Sequence, residues 1–100
     1  MDSNSQSESL EALFNRFKTF SQNTFTQADA ESYLIKLEEE VAELKEDLDI
    51  EELADCILVL VGLSRFIPGD LKNALKAKIE KNEKRKWDRL SDGTYHHVKE

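Results

Sequence analysis

A segment with apolar side chains on every side of its helical wheel constrains the fold of this chain most strongly. It runs as a predicted helix from about Ile50 to Phe66. One apolar stripe comprises Ile50, Ala54, Ile57 and Val61, and the opposite stripe comprises Val59, Leu63 and Phe66. Because a helix that is apolar all round is a buried helix, other helices must cover both of its faces.

Three more helices are predicted from apolar residues at intervals of three and four, at about Ser9–Ser21, Asp29–Leu48 and Leu71–Arg89. One Pro and three Gly leave few helix breakers, and no stretch shows sustained strand-like alternation. The predicted fold class is therefore all-α, a helical bundle of about four helices. Since three helices are few to cover the buried one, we expect a homodimer or tetramer to complete the core. Residues 1–8 are predicted to be a flexible segment before a single domain at 9–100.

Two pairs of carboxylates lie on consecutive predicted helices. Glu40 and Glu43 project from one side of their helix, as do Glu52 and Asp55, because residues three apart lie about a turn apart. Acids brought together in this way repel each other unless a cation lies among them. A ligand set made only of oxygens suits Mg2+ first and Mn2+ as a substitute. Because Mg2+ is the usual partner of phosphate chemistry, the pattern predicts a metal-dependent enzyme acting on a phosphorylated small molecule.

A structural role for Glu52 is the main alternative. Asp49 could cap the predicted helix, and Glu52 stands where it would complete a capping box. However, Glu52 and Asp55 fall on the stripe that contains Val59 and Phe66, so we expect both acids to enter a packed layer. Burying carboxylates without a cation or donors is costly, which favours a metal.

The charge distribution indicates what the chain can bind. The net charge of -7 argues against general nucleic-acid binding, which needs a basic face. Acids concentrate between Asp29 and Asp55, whereas the last helical segment is basic. Its cations are Lys72, Lys76, Lys78, Lys81, Lys84, Arg85, Lys86 and Arg89. An acidic half for metal and a basic half for phosphate would suit a nucleotide, although two solvated helix faces would have the same pattern.

Cysteine content and hydropathy indicate in which cellular compartment the protein is expected. Cys56 is the only cysteine, so no internal disulfide is possible, and its apolar neighbours favour a core position. The polar opening lacks the apolar core of a secretory signal, and no apolar run approaches the ~20 residues of a membrane span. We therefore expect a cytoplasmic protein with no membrane partner.

Two acidic motifs carry a resemblance to a known family. Leu37-Glu38-Glu39-Glu40-Val41-Ala42-Glu43-Leu44, followed by Glu52-Leu53-Ala54-Asp55, resembles the EExxE and ExxD elements of MazG-like, all-α nucleoside triphosphate pyrophosphohydrolases. The end of the chain resembles the dATP/dGTP pyrophosphohydrolase branch at Lys78, Lys81-Asn82, Arg85, Trp87, Gly93 and His96-His97-Val98. The similarity covers roughly residues 20–98. It implies Mg2+-dependent hydrolysis of a nucleoside triphosphate, with a purine deoxynucleotide as the first choice, to a monophosphate and pyrophosphate.

The resemblance also implies roles for particular residues. The metal ligands would be Glu40, Glu43, Glu52 and Asp55, with Glu39 as a further ligand or as the base for the attacking water. Its phosphate- and sugar-binding positions would be Lys81, Asn82 and Arg85. Beside the resemblance, the further candidates for substrate binding are Lys36, Lys78, Trp87 and Phe25. A base could stack on Phe17, Phe20, Phe25 or a partner subunit, although Phe14 and Phe17 in such a helix are more often core. Trp87 could cover the site or pack on the bundle end, and the His96-His97 pair is more often inert than a metal site.

Two other functions stay open at this point. A phosphoribosyl-ATP pyrophosphohydrolase would share the helical fold and the metal ligands. A dimeric helical interaction module would carry the same acids as solvated faces.

Overall fold

The computed structural model describes residues 7–99, which contain four complete α-helices and a two-stranded hairpin. The helices are α1 (Leu10–Thr24), α2 (Ala30–Glu46), α3 (Ile50–Ser64) and α4 (Leu71–Glu83), and the strands are β1 (Trp87–Arg89) and β2 (Tyr95–His97). The mostly helical architecture confirms the predicted all-α class. Residues 1–6 of the predicted flexible segment lie outside the described residues.

The chain divides into two compact units, residues 1–68 and residues 69–100. The first unit carries α1 to α3, and the second carries α4 and the hairpin. Whether 9–100 behaves as one domain therefore stays a prediction. No helix within residues 7–99 combines the length and the apolar character needed to cross a membrane.

Each helix begins at a side chain that satisfies the free backbone N–H groups of its first turn. The N-cap residues are Ser9, Asp29, Asp49 and Asp70. At α2 the capping is reciprocal, since Asp29 accepts from the Ser32 backbone and the Ser32 hydroxyl accepts from the Asp29 backbone. The predicted cap at Asp49 is confirmed.

In the first unit, α3 packs against both α1 and α2. The buried apolar side chains of the described chain are those of Tyr33, Cys56, Val59 and Val61. Helix α2 comes close to α3 at Gly62, where an added Cβ would lie 2.8 Å from Tyr33 Cζ. Because the side chain of Gly62 is only a hydrogen, the Tyr33 ring can pack against α3 in the core.

Arg65, at the end of α3, ties this core to α1. Its Nη1 donates to Ser21 Oγ at 3.2 Å and to the Tyr33 hydroxyl at 3.4 Å. The Tyr33 ring also packs at 5.8 Å from the Phe66 ring. Ser21, which is fully buried, therefore accepts a hydrogen bond from Arg65, and its own hydroxyl donates to the Lys18 carbonyl at 3.1 Å.

The two predicted apolar stripes of α3 differ in their burial. On the stripe that contains the acids, Val59 and Gly62 are buried, whereas Asp55 and Phe66 are exposed, so only part of this stripe lies in a packed layer. On the other stripe Val61 is buried, but Ile50 is 74% exposed and Ile57 is 39% exposed. The single chain therefore leaves part of this stripe uncovered.

The predicted end of the fourth helix at Arg89 is wrong, because α4 ends at Glu83. The segment that follows forms the hairpin, in which Trp87 pairs with His97 and Arg89 with Tyr95. Its turn depends on Gly93, whose φ of +91° favours glycine. The pairing satisfies backbone groups that the helix would otherwise have used, and residues 80–86 offer no apolar stripe to hold a helix in place.

Candidate active site

Three carboxylates from two helices converge in the first unit. Glu40 of α2 and Glu52 and Asp55 of α3 each offer an oxygen, and these oxygens lie within 4.8 Å of one another. Glu40 is buried, Glu52 is half-buried and Asp55 is exposed. The short connection at residues 47–49 brings the end of α2 to the start of α3, and the i,i+3 spacing places Glu52 and Asp55 on the side facing Glu40.

The fourth predicted ligand, Glu43, lies beside this cluster and outside the three-carboxylate group. A hydrogen bond with Glu40 is the largest cause that raises the pKa of Glu43, followed by the charge of Glu40. Asp55 also raises the pKa of Glu43 by charge repulsion. The four acids therefore share one electrostatic environment. The prediction that Asp55 enters a packed layer is wrong, because Asp55 is exposed.

Glu52 is the carboxylate of the cluster with a buried, unpaired oxygen. Its Oε2 is buried and has no hydrogen-bond partner. Burial raises the pKa of Glu52 most, and the charges of Glu43, Asp49 and Asp55 raise it further. The Asp49 side chain does accept from the Glu52 backbone at 2.9 Å, so Asp49 caps the helix, but this bond leaves the Glu52 carboxylate unpaired. An unpaired buried oxygen in an all-carboxylate set fits a hard divalent cation.

Lys36 is the cation that the described structure places at the cluster. Its Nζ lies 3.2 Å from Glu40 Oε2 and 3.5 Å from Glu39 Oε1. The hydrogen bond to Glu40 is the largest cause that raises the pKa of Lys36. Glu39 is exposed and does not join the three converging carboxylates. The structure thus brings Lys36 to the predicted site and places Glu39 at its edge.

A cavity of about 570 Å³ opens beside the carboxylates. Its lining includes Phe17, Phe25, Tyr33, Lys36, Glu40 and Asp55. Pockets of several hundred Å³ with apolar walls and a few polar groups are typical of small-molecule sites. Phe25, a predicted substrate-binding residue, lines this cavity, and so does Phe17. Phe20 contacts their rings at 6.0 and 5.6 Å without lining the cavity.

Cys56 lies behind the carboxylates as a buried residue, which confirms its predicted core position. Burial is the largest cause that raises the pKa of its thiol, and the charge of Glu40 is the next. A thiol with a raised pKa stays protonated near neutral pH and is a poor nucleophile.

The predicted phosphate-binding residues belong to the second unit. Lys78 and Lys81 are exposed on α4, and Asn82 Oδ1 accepts from Arg85 Nη1 at 3.4 Å. Trp87 Nε1 donates to the Asn82 carbonyl at 3.0 Å, and the Trp87 ring meets the His97 ring edge-on at 6.1 Å. Arg85 and Trp87 are therefore held in position by contacts with other residues of the second unit.

A second cavity, of about 380 Å³, lies within this unit and is strongly basic. Its lining includes Lys84, Arg85, Lys86, His97 and Lys99. The sequence alone does not indicate this cavity, because it does not predict the hairpin that brings β2 back to Lys86. The basic run at 84–86 was the available signal for this cavity.

The sequence does not predict that Tyr33 lines the first cavity, or that Arg65 donates to the Tyr33 hydroxyl. The isolated glycine within a helix that is otherwise apolar, Gly62, could have indicated a close approach of an aromatic ring.

Comparison with known proteins gives consistent matches. The family model described as dATP/dGTP pyrophosphohydrolase matches residues 13–100. A dATP/dGTP diphosphohydrolase of Salmonella phage PMBT28 is 36% identical over 83 residues, which are 81% of this chain and 27% of that protein. The chain thus spans about a quarter of the length of this relative.

A solved structure is also similar. The Cyanophage S-2L MazG-like pyrophosphohydrolase, bound to dGDP and three catalytic Mn2+ ions per active site, superposes with a TM-score of 0.80 at 25% identity. The match covers 92% of this chain and 99% of that chain. The resemblance and the fold predicted from the sequence are both confirmed.

Proposed function

The chain belongs to the dATP/dGTP pyrophosphohydrolase family, and from this we propose that it hydrolyses a purine deoxynucleoside triphosphate to the monophosphate and pyrophosphate. The observation that carries the proposal is the convergence of Glu40, Glu52 and Asp55 around an unpaired buried oxygen, at the wall of a cavity large enough for a small molecule. The matched relatives are named for this reaction class, which supports the same choice.

We propose Mg2+ as the cofactor, with Mn2+ as a substitute, held by Glu40, Glu43, Glu52 and Asp55. The Mn2+ ions of the cyanophage relative support a divalent cation at such a site. Divalent ions supply neutralisation of phosphate charge and activation of water for attack on the anhydride. The carboxylates contribute fixed negative charge, which in Glu52 has no internal partner and is therefore available to a ligand.

The remaining residues are proposed to bind substrate and move a proton. Glu39 is exposed, so its carboxylate can accept a proton from the attacking water. Phe25 and Phe17 offer ring faces to a base at the apolar side of the cavity. Lys36 lines the same cavity and can bind phosphate oxygens.

In the second unit, the basic residues and two hydrogen-bonding groups are proposed as further phosphate and sugar contacts. They are Lys78, Lys81, Asn82, Arg85 and Trp87. The planar fork of Arg85 suits two phosphate oxygens at once.

We also propose that the active form is a homodimer or tetramer acting in the cytoplasm, where deoxynucleotide pools are found. The exposed apolar side chains of the first unit support association, because Ile50, Leu60 and Ile35 are 74%, 48% and 53% exposed. Light scattering after size exclusion would give a single-chain mass if this part of the proposal is wrong.

The test is a panel of ribo- and deoxyribonucleoside triphosphates together with phosphoribosyl-ATP, with and without Mg2+, with products resolved by chromatography. We expect monophosphate and pyrophosphate only with metal, and loss of turnover in Glu52→Gln. Glu51→Gln is the matched control, because Glu51 is an exposed neighbour on α3 that lies outside the cluster. Orthophosphate as the first product, or turnover of phosphoribosyl-ATP alone, would overturn the proposal.

A further inference from the structure

Lys36 forms an ion pair with Glu40, which a cation bound by Glu40 would change. Its Nζ lies 3.2 Å from Glu40 Oε2, and the side chain of Glu40 is only 8% exposed. Glu40 is also one of the three carboxylates whose oxygens lie within 4.8 Å of one another. The ammonium therefore pairs with an acid that belongs to the candidate metal site.

We propose that Lys36 is an internal counter-ion of the carboxylate cluster, which competes with the divalent cation for Glu40 and is released when that cation binds. The inference rests on the proposed function, because the competing cation is the one proposed there. It adds a step of competition and release to the binding role already proposed for Lys36.

The competition follows from charge. An ammonium within hydrogen-bond distance of a carboxylate oxygen neutralises part of the charge that attracts a second cation, and it repels that cation directly. Since Glu40 is buried, solvent screens this repulsion less than it would at an exposed pair. The pair with Glu40 should therefore weaken metal binding for as long as it persists.

Release of Lys36 needs no change in the fold. Its side chain is 56% exposed, and both of its partners lie on its own helix at i+3 and i+4. Rotation about the side-chain bonds is enough to move Nζ away from Glu40. Because Lys36 also lines the cavity beside the carboxylates, the freed ammonium would be available to a phosphate oxygen.

Cation and nucleotide should consequently assist each other. The cation displaces Lys36 from Glu40, and the nucleotide then offers the displaced ammonium a new anionic partner. Any such coupling is reciprocal, so bound nucleotide must strengthen cation binding by the same factor.

The experiment measures Mn2+ binding by titration calorimetry, without nucleotide, in the full chain and in Lys36→Met. We expect Lys36→Met to bind Mn2+ about threefold to tenfold more tightly, since it lacks the competing charge. We also expect it to bind dGDP more weakly than the unaltered chain when Mn2+ is saturating. Tighter Mn2+ binding together with weaker dGDP binding would show that Lys36 pairs with Glu40 when the cation is absent and with the nucleotide when the cation is bound.

Lys45→Met is the matched control. Lys45 lies on the same helix, and the described part of the chain gives it no ion pair. It should change Mn2+ affinity by less than about twofold, which separates the loss of the Glu40 pair from a general change in charge. Lys36→Gln gives a second variant with the same expected direction if Lys36→Met does not fold.

The outcomes are distinguishable. Absence of Mn2+ binding by the unaltered chain would overturn both the proposed metal site and this inference. Mn2+ binding by the unaltered chain that is equal or weaker in the Lys36 variants would overturn the inference alone. Equal tightening by Lys45→Met would do the same, because the effect would then be one of net charge.

Discussion

Replacing Gly62 with alanine should destabilise the protein, although alanine is the better helix former. An added Cβ at Gly62 would lie 2.8 Å from Tyr33 Cζ and 3.1 Å from Cδ1, with Cε1 closer still. Carbon atoms in contact normally lie about 3.5–4.0 Å apart. The Tyr33 ring must therefore shift by roughly an ångström for the alanine to fit.

The ring has little room for this shift. Tyr33 is 7% exposed, its ring packs on Phe66, and its hydroxyl accepts a hydrogen bond from Arg65. Overpacking of a core typically costs about 1–3 kcal/mol. Against this, exchanging Gly for Ala inside a helix contributes about 0.5–1 kcal/mol of stability. The expected net loss is about 1 kcal/mol, equivalent to a fall of about 4–8 °C in Tm.

The assay is thermal and urea denaturation followed by circular dichroism, with Tyr33→Leu as the partner in a double-mutant cycle. Leucine lacks the ring atoms that approach Gly62, so Gly62→Ala should be neutral or stabilising in the Tyr33→Leu background. A rise in Tm for Gly62→Ala alone would refute the reasoning, because it would show that the ring moves at no cost.

The helix starts were predictable from the sequence because their causes are local. Asp49 and Asp70 each bond a backbone N–H three residues on, so the cap and its partner can be read within one turn. The end of α4 was not predictable in this way. It depends on the pairing of Trp87 with His97, and strands of three residues are too short to show an alternating pattern.

In the candidate site too, the features with local causes were predictable and those that depend on distant residues were not. Spacing along α2 and α3 predicted that Glu40, Glu43, Glu52 and Asp55 would come together, because i,i+3 positions share a helix face. Spacing could not predict that Glu40 would be buried and Asp55 exposed. That difference depends on how α2 packs against α3, which is a property of contacts between residues distant in the sequence.

Three further predictions test the helix cap and the electrostatics of the carboxylates. Asp29→Ala should lower the unfolding free energy by about 1 kcal/mol in urea denaturation, because it removes the reciprocal cap of α2; an unchanged midpoint would contradict this. Glu52→Gln should leave the metal-free protein as stable or more stable, since it removes an unpaired buried charge, and should abolish most of the rise in Tm caused by Mg2+. A full Mg2+ response in that variant, measured beside Glu51→Gln, would exclude Glu52 as a ligand. The pKa values of Glu43 and Glu52 are raised above the ordinary 4.5 in the folded, metal-free chain. The contribution of these two carboxyl groups to the stability of the metal-free protein is therefore most favourable below pH 4.5, and it is lost as the pH rises through the raised pKa values. A divalent cation needs both carboxylates deprotonated, so the rise in Tm on adding Mg2+ should shrink as the pH falls from about 8 to about 5. Calorimetric melts with and without Mg2+ across this range check the sign, and a metal response that stays constant to the acid end would show that these carboxylates do not bind the ion.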